Sequence, residues 1–491
     1  MNTIPLDDIT LRTGGHENRD EGVCLMEAVA WFAGEKHNDI KGGDLYRFFN
    51  WVFDSVNRIG PISIYTPNHR SYGGGAEEVF YGLLKAAREK KKAFFLYPRL
   101  VLFGKRFTVA NTETYRLRSA DAISNEGVWG LVGGLCLSLY VVALRVTNRV
   151  RSSPRLRGLV RLALPAVSAE AVNDFGHRIP TIGRSSLWKP DQRDSFSWGA
   201  VKEQCWIQQF EEYEPPRLSE SNQRYAEAVR VDMGIPLTDW FICCHAGEYP
   251  EPWGRNVSIQ NYIEGIKVIT EAGGWVVRLG DPSMTRLPPM NRVIDYAFSD
   301  SKSAMMDMYL LSECRFFLGH SAGPHSVANL LRTPIVVANM TDWGFAVPLK
   351  LGDLFILKHV FSREHDRLLS VSEVMQEPFN VQALPALNSP QYRMVENTPA
   401  EIREVIEEFL TNAEPFEYSD SQIAFNEARR RQVRRWISDG EPLAWGGVSE
   451  RGIVVEQYKI ASVSEGALGT VGRHYIERNW HTNGTSISET A

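Results

Sequence analysis

Three clusters of polar residues follow short apolar runs in the second half of the 491-residue chain. The clusters are His245 and Glu248 with Arg255 and Asn256; Arg278 and Asp281; and His320, Ser321, Ala322 and Gly323. The apolar runs, at residues 240–244, 275–278 and 316–318, have the length and composition of strands buried on both faces of a parallel sheet. Because the carboxyl ends of parallel strands open on one edge of a sheet, we expect the three clusters to lie together.

The residue types in these clusters are suited to binding a pyrophosphate group. The guanidinium groups of Arg255 and Arg278 can bind phosphate through paired hydrogen bonds. The turn from Gly319 to Gly323 precedes Pro324, which favours the first turn of a helix, and N–H groups at a helix N-terminus bind anions. Each cluster alone is equally typical of a solvated loop, and the turn alone of a structural strand–helix unit. Their agreement favours a diphosphate site.

A second glycine-rich turn lies in the first half of the chain. Gly73, Gly74 and Gly75 follow an apolar run at residues 62–65 and precede a helical pattern. Three consecutive glycines allow the backbone to approach a ligand closely. The spacing is not that of a dinucleotide-binding fingerprint, so this turn is a weak signal by itself.

Composition and missing motifs argue against several classes of protein. The net charge of −5 argues against bulk binding of nucleic acid. No paired Asp-x-Asp carboxylates follow a strand and no set of His and Cys ligands occurs, so we expect a metal-independent site without a cofactor. Six scattered cysteines indicate a reducing compartment, and the first 30 residues lack the pattern of a signal peptide.

Alternating strand and helix patterns predict an α/β fold with doubly wound sheets. We divide the chain into an N-terminal appendage at 1–40, a Rossmann-like domain at 41–235, a second Rossmann-like domain at 236–412, and a helical extension with a tail at 413–491. The linker between the two domains is expected at the Gly-Ile-Pro sequence of residues 234–236.

Residues 127–161 combine an apolar and a basic segment. Residues 127–144 contain no charge, and six arginines follow by residue 161. An apolar patch beside a basic cluster is suited to docking on the anionic cytoplasmic leaflet of a membrane. A buried helix followed by a solvated basic loop is an open alternative. A membrane span is the least favoured interpretation, since it would interrupt an α/β domain.

Several motifs occur in the same order as in one known protein family. They are Arg255-Asn256-Val257-Ser258-Ile259, residues 273–284, Leu287-Pro288-Pro289-Met290, Ile294-Asp295-Tyr296-Ala297, residues 315–319 with Ser321-Ala322-Gly323, and, in the first half, residues 111–113 and 180–190. Through them the chain, from about residue 45 to 410, resembles a family of bacterial glycosyltransferases associated with surface-polysaccharide synthesis. That family is distantly similar to fucosyltransferase-type GT-B enzymes.

The resemblance implies two Rossmann-like domains that face each other across a cleft. It also implies transfer of a sugar from a nucleotide-sugar donor to a glycan or lipid-linked acceptor, in the cytoplasm or on the inner face of the membrane. The second-domain clusters would bind the donor. The first domain would supply a general base for the acceptor hydroxyl. Glu77 and His69 are the candidates for this base, beside the glycines 73–75, which would form an acceptor or phosphate loop.

Two positions depart from the family pattern. An arginine usually follows the position of His245, where this chain has Ala246-Gly247-Glu248, and His320 replaces a smaller hydroxyl residue. Two other functions therefore stay open. One is a pyruvyltransferase-like group transferase of polysaccharide assembly, and the other is a non-catalytic scaffold that binds sugar nucleotides.

Overall fold

The computed structural model describes residues 214–480, except 249–255, 342–347, 376–390, 413–416 and 440–466, together with short pieces between residues 62 and 131. The predicted appendage at 1–40 and most of the segment 127–161 lie outside the described residues. Within the described residues, no helix is both long and apolar enough to cross a membrane.

The described pieces of the first half form a small parallel α/β unit. Strands β1 (Ile62–Tyr65), β2 (Ala93–Leu96) and β5 (Ala122–Ile123) pair in parallel in that order. Strands β3 (Val101–Leu102) and β4 (Lys105–Arg106) form an antiparallel pair. Helical residues between β1 and β2 bury apolar side chains, namely Ala76, Val79, Phe80, Leu83, Leu84 and Ala86. A helix between two parallel strands is the unit that α/β folds repeat.

A seven-stranded sheet with only parallel neighbours organises the second half. Its strands are β6 (Phe241–His245), β7 (Trp275–Arg278), β8 (Val293–Ile294), β9 (Phe317–Gly319), β10 (Ile335–Met340), β11 (Leu354–Leu357) and β15 (Thr470–Val471). Their spatial order is β8-β7-β6-β9-β10-β11-β15. Every residue of β6, β9, β10 and β11 is buried, as their apolar composition predicts. The order is that of a doubly wound sheet, and the predicted α/β class is confirmed.

A smaller antiparallel sheet follows β11. It consists of β12 (His359–Ser362), β13 (Arg367–Leu368) and β14 (Tyr392–Val395), with β12 in the middle. It leads the chain into the helices that complete the second half.

Helices cover both faces of the large sheet. They are α1 (Glu220–Asp232), α2 (Ile263–Glu271), α3 (Ala304–Glu313), α4 (Gly323–Leu331), α5 (Val371–Val374), α6 (Pro399–Thr411), α7 (Asp420–Asp439) and α8 (Arg473–Asn479). Helix α2, which follows β6, packs against α6, whereas α4, which follows β9, packs against α3. The chain therefore leaves β6 and β9 toward opposite faces of the sheet, as right-handed crossovers require in this strand order.

The second α/β unit extends beyond the predicted boundaries 236–412. Strand β15 pairs with β11, and Gln422 of α7 donates a hydrogen bond to the carbonyl of Val471 in β15. At the other end, Arg230 of α1 packs over the ring of Phe241 in β6. We therefore extend this unit from α1 to α8. A two-residue strand is too short to show a periodic pattern, which is why the sequence does not reveal β15.

Candidate diphosphate-binding site

The strand order places a crevice between the carboxyl ends of β6 and β9. Strands β7 and β8 are added on one side of β6, and β9, β10 and β11 on the other. Loops that leave two neighbouring strands toward opposite faces diverge, and open α/β sheets bind ligands in the gap between them. His245 ends β6 and His320 directly follows β9, so two of the three predicted clusters flank this gap. Arg278 ends β7, one strand further along.

The N-terminus of α4 begins at this crevice without a side-chain cap. Ala322 is the N-cap residue and forms no capping hydrogen bond, whereas a serine or threonine caps α1, α3, α5 and α6. Among the described residues, the N–H groups of Ala322 and Gly323 have no hydrogen-bond partner, and the buried Oγ of Ser321 has none either. Uncapped N–H groups with aligned peptide dipoles attract an anion.

Residues 319–323 read Gly-His-Ser-Ala-Gly, which is also the sequence pattern of a hydrolase nucleophile elbow. Such an elbow holds its serine in a strained turn, with a base within hydrogen-bond reach. Ser321 does not have a positive φ, and its Oγ forms no hydrogen bond with any described residue. Among the described residues the turn therefore has neither the strain nor the base of such an elbow, and its free N–H groups are suited to an anion.

Two stacked histidine rings form the floor of the crevice. The ring centroids of His245 and His320 lie 5.3 Å apart with 16° between the ring planes, and both residues are buried. Nδ1 of His245 donates to the carbonyl of Leu279 at 3.2 Å, which leaves Nε2 without a proton in the neutral ring. Burial lowers the pKa of His245 to about 4 despite this hydrogen bond, so the ring is uncharged at neutral pH. The two predicted donor residues, His245 and His320, therefore expose little surface to a ligand. Their rings form part of the base of the crevice instead.

Gly247 connects the loop after β6 to this floor. Its N–H donates to Nε2 of His320 at 2.9 Å, and its carbonyl accepts from the N–H of Val257 at 3.1 Å. The segment from Gly247 to Val257 therefore begins and ends at one point beside β9. Arg255 and Asn256, two predicted donor-binding residues, belong to this segment. Arg255 lies outside the described residues, and Asn256 is exposed.

Glu248 connects the same loop to the loop after β7. Its Oε2 accepts hydrogen bonds from the N–H and the hydroxyl of Thr285, at 3.2 and 2.9 Å. Asp281 closes the start of the β7 loop by accepting from the N–H of Ser283 at 2.9 Å, and this bond lowers the pKa of Asp281. Both predicted carboxylates hold loops in place, and Asp281 also remains exposed at the edge of the sheet.

Arg278 ends β7 as predicted, but its side chain is 0% exposed. Its Nη1 donates to Oδ1 of Asp295 at 3.1 Å, while Oδ2 of Asp295 accepts from the N–H of Leu287 at 2.9 Å. This ion pair anchors the far end of the β7 loop. Nε and Nη2 of Arg278 have no hydrogen-bond partner within the described part of the chain. A direct phosphate contact by Arg278 does not fit this burial, although its charge reaches His245 and contributes to the lowered pKa of that ring.

Lys302 is a residue of this edge that sequence reasoning missed. Its side chain is 29% exposed, and Nζ lies 3.8 Å from Oδ2 of Asp307. The positive charge of Lys302 also favours the deprotonated forms of Asp281 and His245, and so contributes to the lowered pKa of each. No local pattern in the loop before α3 distinguishes this lysine from an ordinary surface lysine.

Two further missed residues, Lys358 and Asp295, directly follow strands. Nζ of Lys358, after β11, donates to the carbonyl of Asn256 at 2.6 Å, and burial lowers the pKa of Lys358. Glu396, which favours the charged form of this lysine, accepts from the N–H of Ser258 at 2.9 Å. The three clusters are predicted because polar residues follow apolar runs. Lys358 and Asp295 follow strands in the same way and could have been predicted on the same ground.

The predicted residues of the first half are not part of the described site. His69, Gly73, Gly74, Gly75 and Glu77 lie outside the described residues. The general base and the acceptor loop therefore stay predictions. Across the described ranges, no group of three or more His, Cys, Asp or Glu side chains is placed to hold a metal ion.

Comparisons with known proteins give similarities to solved structures only. No protein-family model matches the chain, and no curated protein matches it. Similar structures include a family 9 glycosyl transferase from Veillonella parvula, with 11% identity over 56% of this chain and 79% of that one, at a TM-score of 0.27. The E. coli ADP-heptose LPS heptosyltransferase II has 14% identity over 59% and 85%, at 0.29. The glycotransferase of kitacinnamycin has 11% over 77% and 95%, at 0.24.

All three of these proteins are glycosyltransferases by name. The identities and TM-scores are low.

Proposed function

We propose that the protein is a glycosyltransferase that binds the diphosphate of a nucleotide-sugar at the N-terminus of α4. The observation that carries this proposal is the uncapped start of that helix where the strand order reverses. A diphosphate placed there would accept hydrogen bonds from the N–H groups of Ala322 and Gly323 and from the hydroxyl of Ser321. The motifs shared with a glycosyltransferase family support the same function.

The proposed chemistry needs a group that stabilises negative charge. Sugar transfer breaks the bond between the anomeric carbon and the donor diphosphate, and charge develops on the leaving diphosphate. N–H groups already aimed at that position stabilise the charge without reorganisation. The buried guanidinium of Arg278 adds a positive charge that solvent screens poorly. Arg255 stays the candidate for direct contact, and no metal ion or cofactor is part of the proposal.

The acceptor is proposed to be a growing surface glycan or its lipid-linked precursor. Its hydroxyl must lose a proton as it attacks the donor sugar, so a general base is needed opposite the donor. Glu77 or His69 would act as this base, from a first Rossmann-like domain facing the second across a cleft. The glycines at 73–75 would let the acceptor or its phosphate approach the backbone.

A thermal-shift screen against UDP-, GDP-, ADP- and CMP-sugars tests this function. We expect sugars of one nucleotide to stabilise the protein, by about 2.7 kcal/mol at a concentration 100 times the Kd. A donor-hydrolysis assay then measures release of the nucleoside diphosphate with and without EDTA, and we expect release that EDTA does not reduce.

The turnover assay separates the proposed enzyme from a non-catalytic scaffold. Stabilisation without any turnover would favour a sugar-nucleotide-binding scaffold. Failure of all four donor classes to stabilise the protein would contradict the proposal.

The location proposed for the enzyme is the cytoplasmic face of a membrane, reached through residues 127–161. We expect the protein to sediment with anionic liposomes and to be released in part by salt, because screening weakens attraction to lipid headgroups. Replacing Arg155, Arg157 and Arg161 with glutamine should reduce sedimentation, since each basic residue near the surface contributes about 1 kcal/mol. Equal binding to neutral and anionic liposomes would contradict the electrostatic part of this proposal.

A further inference from the structure

The backbone of Gly247 forms two hydrogen bonds that hold the loop after β6 in place. Its N–H donates to Nε2 of His320, and its carbonyl accepts from the N–H of Val257. His320 follows β9, on the other side of the point where the strand order reverses. The bond between Gly247 and His320 therefore joins the two walls of the crevice at its base.

The imidazole of His320 is held in an orientation that serves this bond. The ring is 1% exposed and stacks on that of His245, which in turn donates to the carbonyl of Leu279. A neutral imidazole has one nitrogen that accepts, and the geometry assigns that role to Nε2 of His320. Because Gly247 is buried, its N–H would lose a partner that water replaces poorly if this acceptor were removed.

We infer that His320 is a positioning residue of the donor site. By accepting the hydrogen bond of Gly247 it fixes the start of the loop after β6 beside Ser321 and α4, and Gly247 in turn holds Val257, the neighbour of the predicted donor residue Asn256. Glu248 accepts a hydrogen bond from the hydroxyl of Thr285, so the position of the loop after β6 also influences that of the loop after β7. The link to the donor rests on the proposed function, whereas the hold on the loop does not.

Hydrogen exchange of the Gly247 amide, measured by NMR without ligand, tests the hold on the loop. In His320→Leu the acceptor is gone, and we expect exchange to be about 3- to 10-fold faster, the change expected for one lost neutral hydrogen bond. In His320→Gln the side-chain carbonyl can accept in place of Nε2, and we expect exchange within about twofold of wild type. His320→Asn, which is shorter, serves as the second acceptor-deficient variant if His320→Leu does not fold.

Titration with inorganic pyrophosphate tests the link to the donor. In His320→Leu we expect the affinity for pyrophosphate to fall by about the factor by which exchange of the Gly247 amide becomes faster. In His320→Gln we expect the affinity to be close to that of wild type. A residue that only fills the core would give the same affinity loss in both variants, and that result would overturn the inference. Unchanged exchange of Gly247 in the acceptor-deficient variants would also overturn it. If wild type binds no pyrophosphate while the exchange rates change as expected, the proposed function fails and the hold of His320 on the loop is retained.

Discussion

Replacing Arg278 with alanine is expected to lower the free energy of unfolding by about 3 to 5 kcal/mol, the usual cost of removing one partner of a buried ion pair. The side chain of Arg278 is 0% exposed, and the substitution leaves the carboxylate of Asp295 without its cation. Urea denaturation measures the loss. The sequence alone predicts weaker donor binding with an intact fold, whereas the burial of this arginine predicts a loss of stability first.

Two controls isolate the ion pair. Arg224 lies 4.0 Å from Glu220 with both side chains exposed, so Arg224→Ala should change the free energy of unfolding by less than about 0.5 kcal/mol. Combining Arg278→Met with Asp295→Leu should restore part of the lost stability, because no single charge is left buried. A loss below about 1 kcal/mol in Arg278→Ala would show that the pair is not desolvated as its burial implies.

Replacing Ala322 with aspartate is expected to weaken binding of a nucleoside diphosphate by about 10- to 100-fold, without loss of stability. Aspartate is a preferred N-cap residue, so its carboxylate should accept from the free N–H groups of α4 and stabilise the helix. The same carboxylate occupies and repels the position of the diphosphate. Loss of charge-assisted hydrogen bonds worth about 1.5 to 3 kcal/mol corresponds to the expected factor.

Ser219→Asp is the matched control for this substitution. Ser219 caps α1, which precedes β6 and is a different helix from the one that begins at the crevice, and aspartate can cap it equally well. The control variant should bind the nucleoside diphosphate as wild type does. If both variants lost affinity together, the effect would come from net charge and not from the start of α4.

The strands and their carboxyl ends are predictable from the sequence. The predicted strand at 275–278 coincides with β7, while those at 240–244 and 316–318 each lie one residue before β6 and β9. Strands buried on both faces are continuous apolar runs, and a polar residue or glycine ends them clearly. For the same reason His245, Arg278 and His320 fall at strand ends, as predicted.

The contacts across the crevice are not predictable in this way. Gly247 and His320 lie 73 residues apart, and no local pattern couples one to the other. Arg278 has the sequence position of a surface phosphate ligand, and only the fold shows Asp295 beside it. Residues 246–248 and His320, the two places where the sequence differs from the pattern that it otherwise resembles, are in contact through Gly247. Neither residue type alone indicates that they are coupled.

The most direct test of the account compares a nucleoside diphosphate with the corresponding nucleoside by isothermal titration. The nucleotide is the one whose sugars stabilise the protein in the screen, and both ligands are titrated into wild type and Ala322→Asp. We predict that the variant loses about 10- to 100-fold in affinity for the diphosphate and less than about twofold for the nucleoside. Equal affinity of wild type and variant for the diphosphate would contradict a donor site at the N-terminus of α4.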